Sequence, residues 1–484
     1  MSFVDGEARA RARAGTWLAA AIAFAFVLPV LARAAEAAPL DEPFVGGIGF
    51  TGPTSPSVSA IYWNPAALGL VRGTQVMVAS TVRVSSTTYT PAGATSGVSA
   101  RDVMQPLQWP VGPGTFMGIS SDLGGDRFTI GFATFMPFVE QTKYALSPTN
   151  DEPTRYQALQ VDLRHLTLTP ALSIRFGDVR LGLAPGGMFS TGHLTFAEDT
   201  ALDVKGATGD ARYDFYSGHG LGDAKFSVTL AGGAYYRHGN LEVGVSYQSR
   251  PIGSDTPGVE IAGGRTTVTG PPGVAGPTTG CSTAMPGCVF GDMTYRLPDI
   301  WIAGVTYHLR PGFEATVMAR WIWFHLQDRI DLRFTGPTLE ASGVPEHIVI
   351  YRGFHDVWDV RGRLSYWYRE RVRLGAQLRM ETSAVDANAV NAAAVDGFKV
   401  EPMALVAVRL WGHVWLDAGY GLTLMSTVAV DDSVFNPALA TACVEANNDL
   451  DHCAARNAGQ GRPSAAGTYT RLTQDFGLSM TVKF

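Results

Sequence analysis

From Arg471 to Phe484 the chain reads Arg-Leu-Thr-Gln-Asp-Phe-Gly-Leu-Ser-Met-Thr-Val-Lys-Phe. Leu472, Phe476, Leu478, Met480, Val482 and Phe484 share one parity, interrupted by Gln474. Arg471, Thr473, Asp475, Gly477, Ser479, Thr481 and Lys483 share the other. This is the period-2 pattern of a strand with an apolar face and a polar face. Two other segments repeat it. Val372, Leu374, Ala376, Leu378 and Met380 alternate with Arg373, Gly375, Gln377, Arg379 and Glu381, and Leu241, Val243, Val245 and Tyr247 alternate with Glu242, Gly244, Ser246 and Gln248.

Composition narrows what these strands can build. The chain is 46% hydrophobic and only 17% charged, with 55 glycines and 16 tyrosines. A β-protein with one face in lipid has this character, and so does an array of soluble sandwiches. Connection lengths separate the two. Strands are expected near 74–90, 113–123, 127–138, 162–176, 179–196, 225–237, 240–250, 292–308, 312–326, 355–369, 371–382, 400–411, 413–427 and 468–484. The connections between them alternate long and short, as the two ends of a membrane barrel require. The fold expected is all-β: a closed antiparallel transmembrane β-barrel of about fourteen strands. In such a barrel every backbone group finds a partner without an open edge.

At the N-terminus, Arg9, Arg11 and Arg13 precede an apolar run from Trp17 to Leu31, followed by Ala32-Arg33-Ala34 and Ala35-Glu36-Ala37. Residues 1–37 are therefore expected to be a secretory signal peptide. Residues 38–73 are rich in turn formers and small residues and lack strand alternation, so they cannot join the wall, which occupies 74–484. They are expected to form a plug in the lumen or a periplasmic tail. The cysteines fall in two local pairs within long loops, and the expectation is two intra-loop disulfides, Cys281–Cys288 and Cys443–Cys453. Neither spacing suits zinc. No nucleophile motif, phosphate loop or metal-ligand spacing stands out, so neither catalysis nor a cofactor is expected. A formal charge of −6 argues against a nucleic-acid partner.

The plug region runs Ala60-Ile61-Tyr62-Trp63-Asn64-Pro65-Ala66-Ala67-Leu68-Gly69 into the first strand. This resembles the N-terminal hatch of the FadL/TodX family of outer-membrane transporters for long-chain fatty acids and other hydrophobic compounds. Leu297-Pro298-Asp299-Ile300-Trp301, Met136-Pro137-Phe138 and the segment Gly467–Phe484 are similar to family segments too. Val139 stands where glycine is common, and the cysteine pair in 428–467 is no family requirement. The terminal aromatic, Phe484, is similar to the signal read by the barrel assembly machinery.

The resemblance implies a monomer in the outer membrane of a Gram-negative bacterium, surrounded by outer-membrane lipids. It also implies ligand capture at the outer loops and sideways exit through the wall. Asn64, Pro65 and Ala66 would form the hatch core. Gly131, Phe135, Pro137 and Phe138 would belong to the strand that opens laterally, since Pro137 cannot donate a ladder hydrogen bond. By parity, Ile300, Ile302, Met318, Ile322 and Phe324 face inward and could line an apolar path. Arg361, Arg363 and Arg379 also face inward, where they could hold a carboxylate or pair with neighbouring acids. Uptake of a hydrophobic small molecule is the leading expectation. The alternatives are a diffusion porin for polar solutes, whose bore would be polar throughout, and a structural or adhesive surface barrel. The cysteine pairing is directly testable: non-reducing peptide mapping should recover Cys281–Cys288 and Cys443–Cys453 as separate links, and free thiols or a link between the two loops would refute the assignment.

Overall fold

The computed structural model describes residues 43–95, 97–104, 114–143, 154, 157, 160–199, 214–219, 223–224, 226–253, 259–269, 289–336, 346–434 and 465–484. The expected signal peptide and both expected disulfides lie outside these residues. Among them, one continuous antiparallel sheet of 23 segments traces 14 wall strands. The first strand (Thr74–Pro91) pairs with the last (Gly467–Lys483) over its whole length, from Gln75↔Lys483 to Pro91↔Gly467. That pairing leaves no edge. At the seam, Arg83 faces Asp475 in register, and Arg83 Nε donates to Asp475 Oδ1 at 2.7 Å.

Alternation decides which way each side chain points. In the last strand Leu472, Leu478 and Met480 are exposed on the outer face, whereas Arg471, Thr473, Asp475 and Ser479 are buried inside. Outward Ile119, Phe132, Leu183, Leu230, Trp301, Val317, Leu364 and Leu374 continue an apolar belt around the barrel. A barrel wall that stands in lipid presents such a face.

Strand positions agree with the sequence reading, but several strands run further than expected. The long connections around 91–112, 197–224, 251–291 and 327–354 contribute Val98–Met104, Asp214–His219, Val259–Thr269, Val289–Tyr295, Arg329–Thr335 and His347–Tyr351 to the sheet. These segments continue hairpins on the side of the long loops, where water can satisfy whatever the ladder does not. The ninth strand is also interrupted: Phe313–Ile322 gives way to a 3-10 turn at Phe324–Gln327 before pairing resumes at Arg329. The expected continuous strand over 312–326 therefore ends early.

Residues 43–73 take no part in the sheet. They form turns, a short helix (Ala60–Trp63) and a 3-10 turn (Ala67–Leu70). Val45, Val58, Ile61, Trp63, Asn64 and Leu68 are each 3% exposed or less. Polar groups from inward-facing positions around the barrel hold the segment. Ser173 Oγ donates to Ala66 O (2.8 Å), Ser246 Oγ to Trp63 O (2.6 Å), Gln248 Nε2 to Tyr62 O (2.5 Å) and Arg180 Nε to Gly69 O (3.2 Å). From the opposite wall, Arg361 Nη1 donates to Pro43 O (3.0 Å) and Arg363 Nη1 to Thr51 O (2.9 Å). These contacts reach strands on all sides, so the segment occupies the bore.

A second clamp marks where the inner segment meets the wall. Asp122 lies in the short turn after the second strand. Its Oδ2 accepts from Gly73 N–H (2.9 Å) and its Oδ1 from Gly124 N–H (3.0 Å). The bond from Gly73 is the main reason its carboxyl sits below its ordinary value. A depressed folded value means that the clamp's contribution is present above the unfolded value and is lost as pH falls through the folded one. At neutral pH the wild type should therefore resist heat better than Asp122→Asn, read from the midpoint of the heat-dependent gel shift. The gap should close below about pH 4; a gap independent of pH would contradict this role.

Candidate functional site

The interior of the barrel is divided between charge and grease. On one side the tenth and eleventh strands (Val357–Tyr368 and Val372–Glu381) place Asp359, Arg361, Arg363, Arg379 and Glu381 inward, all 5% exposed or less. Asp359 accepts from Arg361 (2.5 Å) and Arg320 (3.2 Å) and forms an ion pair with Arg379 (3.2 Å). Arg379 also pairs with Glu401 (3.1 Å) and Glu381, and Lys399 bridges Glu381 and Asp396 at 2.5 Å each. Buried charges persist only when paired and hydrogen-bonded, and here each acid meets at least one cation. Arg361 and Arg320 also lie over the Trp63 ring, at 5.3 and 5.6 Å. The guanidinium groups thus grip the inner segment by its carbonyls and its indole.

On the other side lies a cavity of about 440 Å³, a figure that includes space at its open mouth. Ile61 and Tyr62 of the inner segment form one wall, and Phe135, Pro137 and Phe138 of the third strand another. Thr167, Thr169, Ala184, Met188, Leu230, Ala231, Gln248, Pro298 and Ile300 complete much of the lining. Tyr62 packs edge-on against Phe135 with ring centroids 5.4 Å apart, and Phe135 stacks on Phe116 at 6.0 Å. The third strand (Phe128–Lys143) breaks register with the fourth (Gln160–Phe176) between Phe135 and Phe138. Its pairing with Phe116–Ser121 stops at Phe116↔Phe135. Met136 and Pro137 therefore form a bulge beside the cavity, where a proline is tolerated.

The residues singled out in the sequence fall into three places. Phe135 and Phe138 flank the bulge that contains Pro137, whereas Gly131 lies further back in the regular ladder, with Ile61 Cδ1 2.9 Å from where its Cβ would stand. Ile300 lines the cavity, whereas Ile302, Met318, Ile322 and Phe324 are buried in the wider apolar core of the lumen. Phe324 reaches that core from the 3-10 turn, not from a strand. Arg361, Arg363 and Arg379 belong to the ion network and the grip on the inner segment. Asn64 is completely buried. Its Nδ2 donates to Pro53 O (2.9 Å) and to Ala234 O of the sixth wall strand (3.0 Å), and its Oδ1 accepts from Ala66 N–H (3.1 Å). All its hydrogen-bonding groups have partners, which suits an amide at a fixed junction.

Sequence reasoning overlooked the inward glycines. A Cβ on Gly182 would stand 2.1 Å from Ala66 N, one on Gly233 would stand 2.1 Å from Asn64 Oδ1, and one on Gly244 would stand 2.2 Å from Pro53 O. Any side chain there would displace the inner backbone. The signal was present as glycines at inward parity, where a water-filled bore would carry polar side chains. A second oversight concerns residues 383–399, expected as a long outer loop. They fold back into the mouth, with Ala384, Val385, Val390 and Val395 at most 3% exposed and Ala392 N–H donating to Gln157 Oε1 at 2.7 Å. The signal there was the run of alanine and valine.

This architecture has solved counterparts. A Pseudomonas aeruginosa FadL homologue superposes with a TM-score of 0.67 at 12% identity, covering 93% of this chain and 100% of that chain. The Pseudomonas putida toluene transporter TodX gives 0.61 at 12%, covering 92% and 100%. The Ralstonia pickettii toluene transporter TbuX gives 0.57 at 11%, covering 93% and 99%. At such identities the likeness establishes the fold alone. No curated protein sequence matches the chain. The family model for outer membrane protein transport proteins (OMPP1/FadL/TodX) matches residues 46–398, from the inner segment to the end of the mouth loop and well over half the chain. By that match the chain belongs to the OMPP1/FadL/TodX family of outer-membrane transport proteins.

Proposed function

We propose that this protein takes up hydrophobic compounds across the bacterial outer membrane by passive diffusion, with residues 38–73 acting as a hatch. It acts by transport, not by catalysis. The observation that carries this reading is the cavity at the contact between Tyr62 and Phe135. There, an apolar pocket, the inner segment and the bulged third strand meet in one place. A solute entering from the outer mouth would reach this pocket once the hatch shifted. It could then leave beside Met136-Pro137, where the ladder is already broken. The wall is closed independently of the hatch, so the hatch can move without opening the barrel. Among the solved counterparts, TodX and TbuX are described as toluene transporters and a third as a monoaromatic hydrocarbon channel. Long-chain fatty acids and monoaromatic compounds are the ligand classes we propose for this chain. Outer-membrane lipid covers the apolar belt, the monomer is the working unit, and the barrel assembly machinery inserts it.

The hatch can be tested by three changes of increasing severity. Asn64→Ala removes an anchor, and each unsatisfied buried group left behind costs roughly 1–3 kcal/mol. It should leave heat-modifiable folding intact but lower uptake of labelled oleate and of toluene severalfold in cells lacking their own transporter. Gly182→Val should do the same without touching Asn64, because it forces Pro65-Ala66 away from the wall; overpacking of this kind costs about 1–3 kcal/mol. Deleting residues 43–72 should instead make the barrel leak small polar solutes. Wild-type uptake with no leak after the deletion would reduce the segment to a tail and remove the basis of this reading.

A further inference from the structure

The wall contains a second break, away from the third-strand bulge. The fourth strand (Gln160–Phe176) and the fifth (Val179–Asp199) pair from Phe176↔Val179 to Leu172↔Leu183, and again from Leu168↔Gly187 to Gln160↔Thr195. The register is the same on both sides, yet pairing lapses between them. In the lapse Pro170 stands opposite Pro185, at a position where the two residues would exchange both of their ladder bonds. Neither has an N–H to give. The neighbouring positions, 169 with 186 and 171 with 184, exchange no ladder bonds across this seam. The bonded pairs on either side, Leu168↔Gly187 and Leu172↔Leu183, therefore stand about 13 Å apart along the strand at 3.3 Å per residue, with one reciprocal pair of bonds missing between them. Both prolines keep their outer neighbours, since Phe132 pairs with Pro170 and Leu230 with Pro185. The defect is confined to one seam.

The seam lies within the lipid-facing belt: Leu168, Leu172 and Leu183 beside it are 37–51% exposed on the outer face. Two proline carbonyls left without ladder donors at that depth are costly, and a wall built for strength alone would not keep them. On the inner face the seam is framed by Thr169, Ala171, Ala184 and Gly186, which leave little bulk behind it. Thr167, Thr169, Ala184 and Met188 of these two strands also line the cavity. The Thr167 and Thr169 hydroxyls have no hydrogen-bond partner among the described residues. The cavity therefore backs directly onto the weakest stretch of the wall between these strands.

We propose that the seam between Pro170 and Pro185 is a lateral exit from the cavity into the outer leaflet, used by apolar ligands of chain form. The proposal rests on the uptake reading above and adds a route separate from the third-strand bulge. The strands can part here without breaking ladder bonds, because those bonds do not exist, while intact pairing above and below keeps the barrel closed. A sliding alkyl chain meets proline rings and leucines outside and small side chains inside.

The decisive variant is Pro170→Val combined with Pro185→Val. Both side chains face lipid, where valine suits a strand, and each change restores one donor, so the barrel should fold at least as well. Uptake of labelled oleate should fall severalfold. Hydrogen exchange gives a readout independent of transport. The amides of Leu168, Leu172, Leu183 and Gly187 point into the seam, whereas those of Ala171 and Ala184 point to the third and sixth strands. In the wild type the first group should exchange faster than the second, and the double variant should remove the difference. Undiminished oleate uptake by the double variant would overturn the proposal while leaving the uptake reading in place. If the wild type imported no oleate, the uptake reading for fatty acids would fall and the seam would be judged on exchange alone; equal protection of the two groups of amides would overturn it.

Discussion

Hydrocarbon offers no hydrogen bonds, and the rest of this structure depends on that fact. Each wall residue must hand its N–H and C=O to a neighbouring strand, and the circle must close. The seam between Thr74–Pro91 and Gly467–Lys483 meets this demand over its full length, with Arg83 and Asp475 joined across it on the inner side. Because the wall satisfies itself, the bore is free to hold a segment with little regular structure. Backbone groups of that segment are satisfied by Ser173, Ser246, Gln248, Arg361 and Arg363, side chains that a closed barrel can spare for its interior. Irregular backbone at membrane depth is tolerated here because protein surrounds it.

The interior also separates two jobs that a single lining could not perform. Arg361 and Arg363 on the tenth strand bind the inner segment through charge-assisted bonds, which are stronger than neutral ones and directional. The cavity on the far side is lined mainly by apolar and small residues. A ligand without charge gains little from the arginine side and much from the other. The arginines therefore hold the inner segment, and the cavity is left to apolar and small side chains.

Much of this was legible in the sequence. Period-2 alternation in 471–484, 372–381 and 241–248 places side chains correctly because lipid outside and protein inside impose opposite demands on successive residues. Parity alone put Ile300, Ile302, Met318, Arg361 and Arg379 in the lumen. Three things were not legible, and each depends on register. The extension of strands such as Arg329–Thr335 beyond the membrane follows from pairing in water, where alternation is weaker. The arginines could be assigned to the inside but not to Asp359, Glu401 or Pro43 O, since those partners lie on other strands or outside the sheet. Pro170 and Pro185 are visible as wall-strand prolines, but their opposition appears only when the fourth and fifth strands are aligned.

The glycine seats carry a consequence for how the molecule is built. Ile48 of the inner segment presses against Gly419 and Gly477, on the thirteenth and fourteenth strands, with its Cγ2 only 2.3 and 2.4 Å from where a Cβ would stand. That niche does not exist until the final hairpin has arrived, although Ile48 is synthesised before any strand. Seating Ile48 therefore requires the first and last parts of the chain to meet at one place. The two glycines thus tie a residue that precedes every wall strand to the two strands that complete the wall.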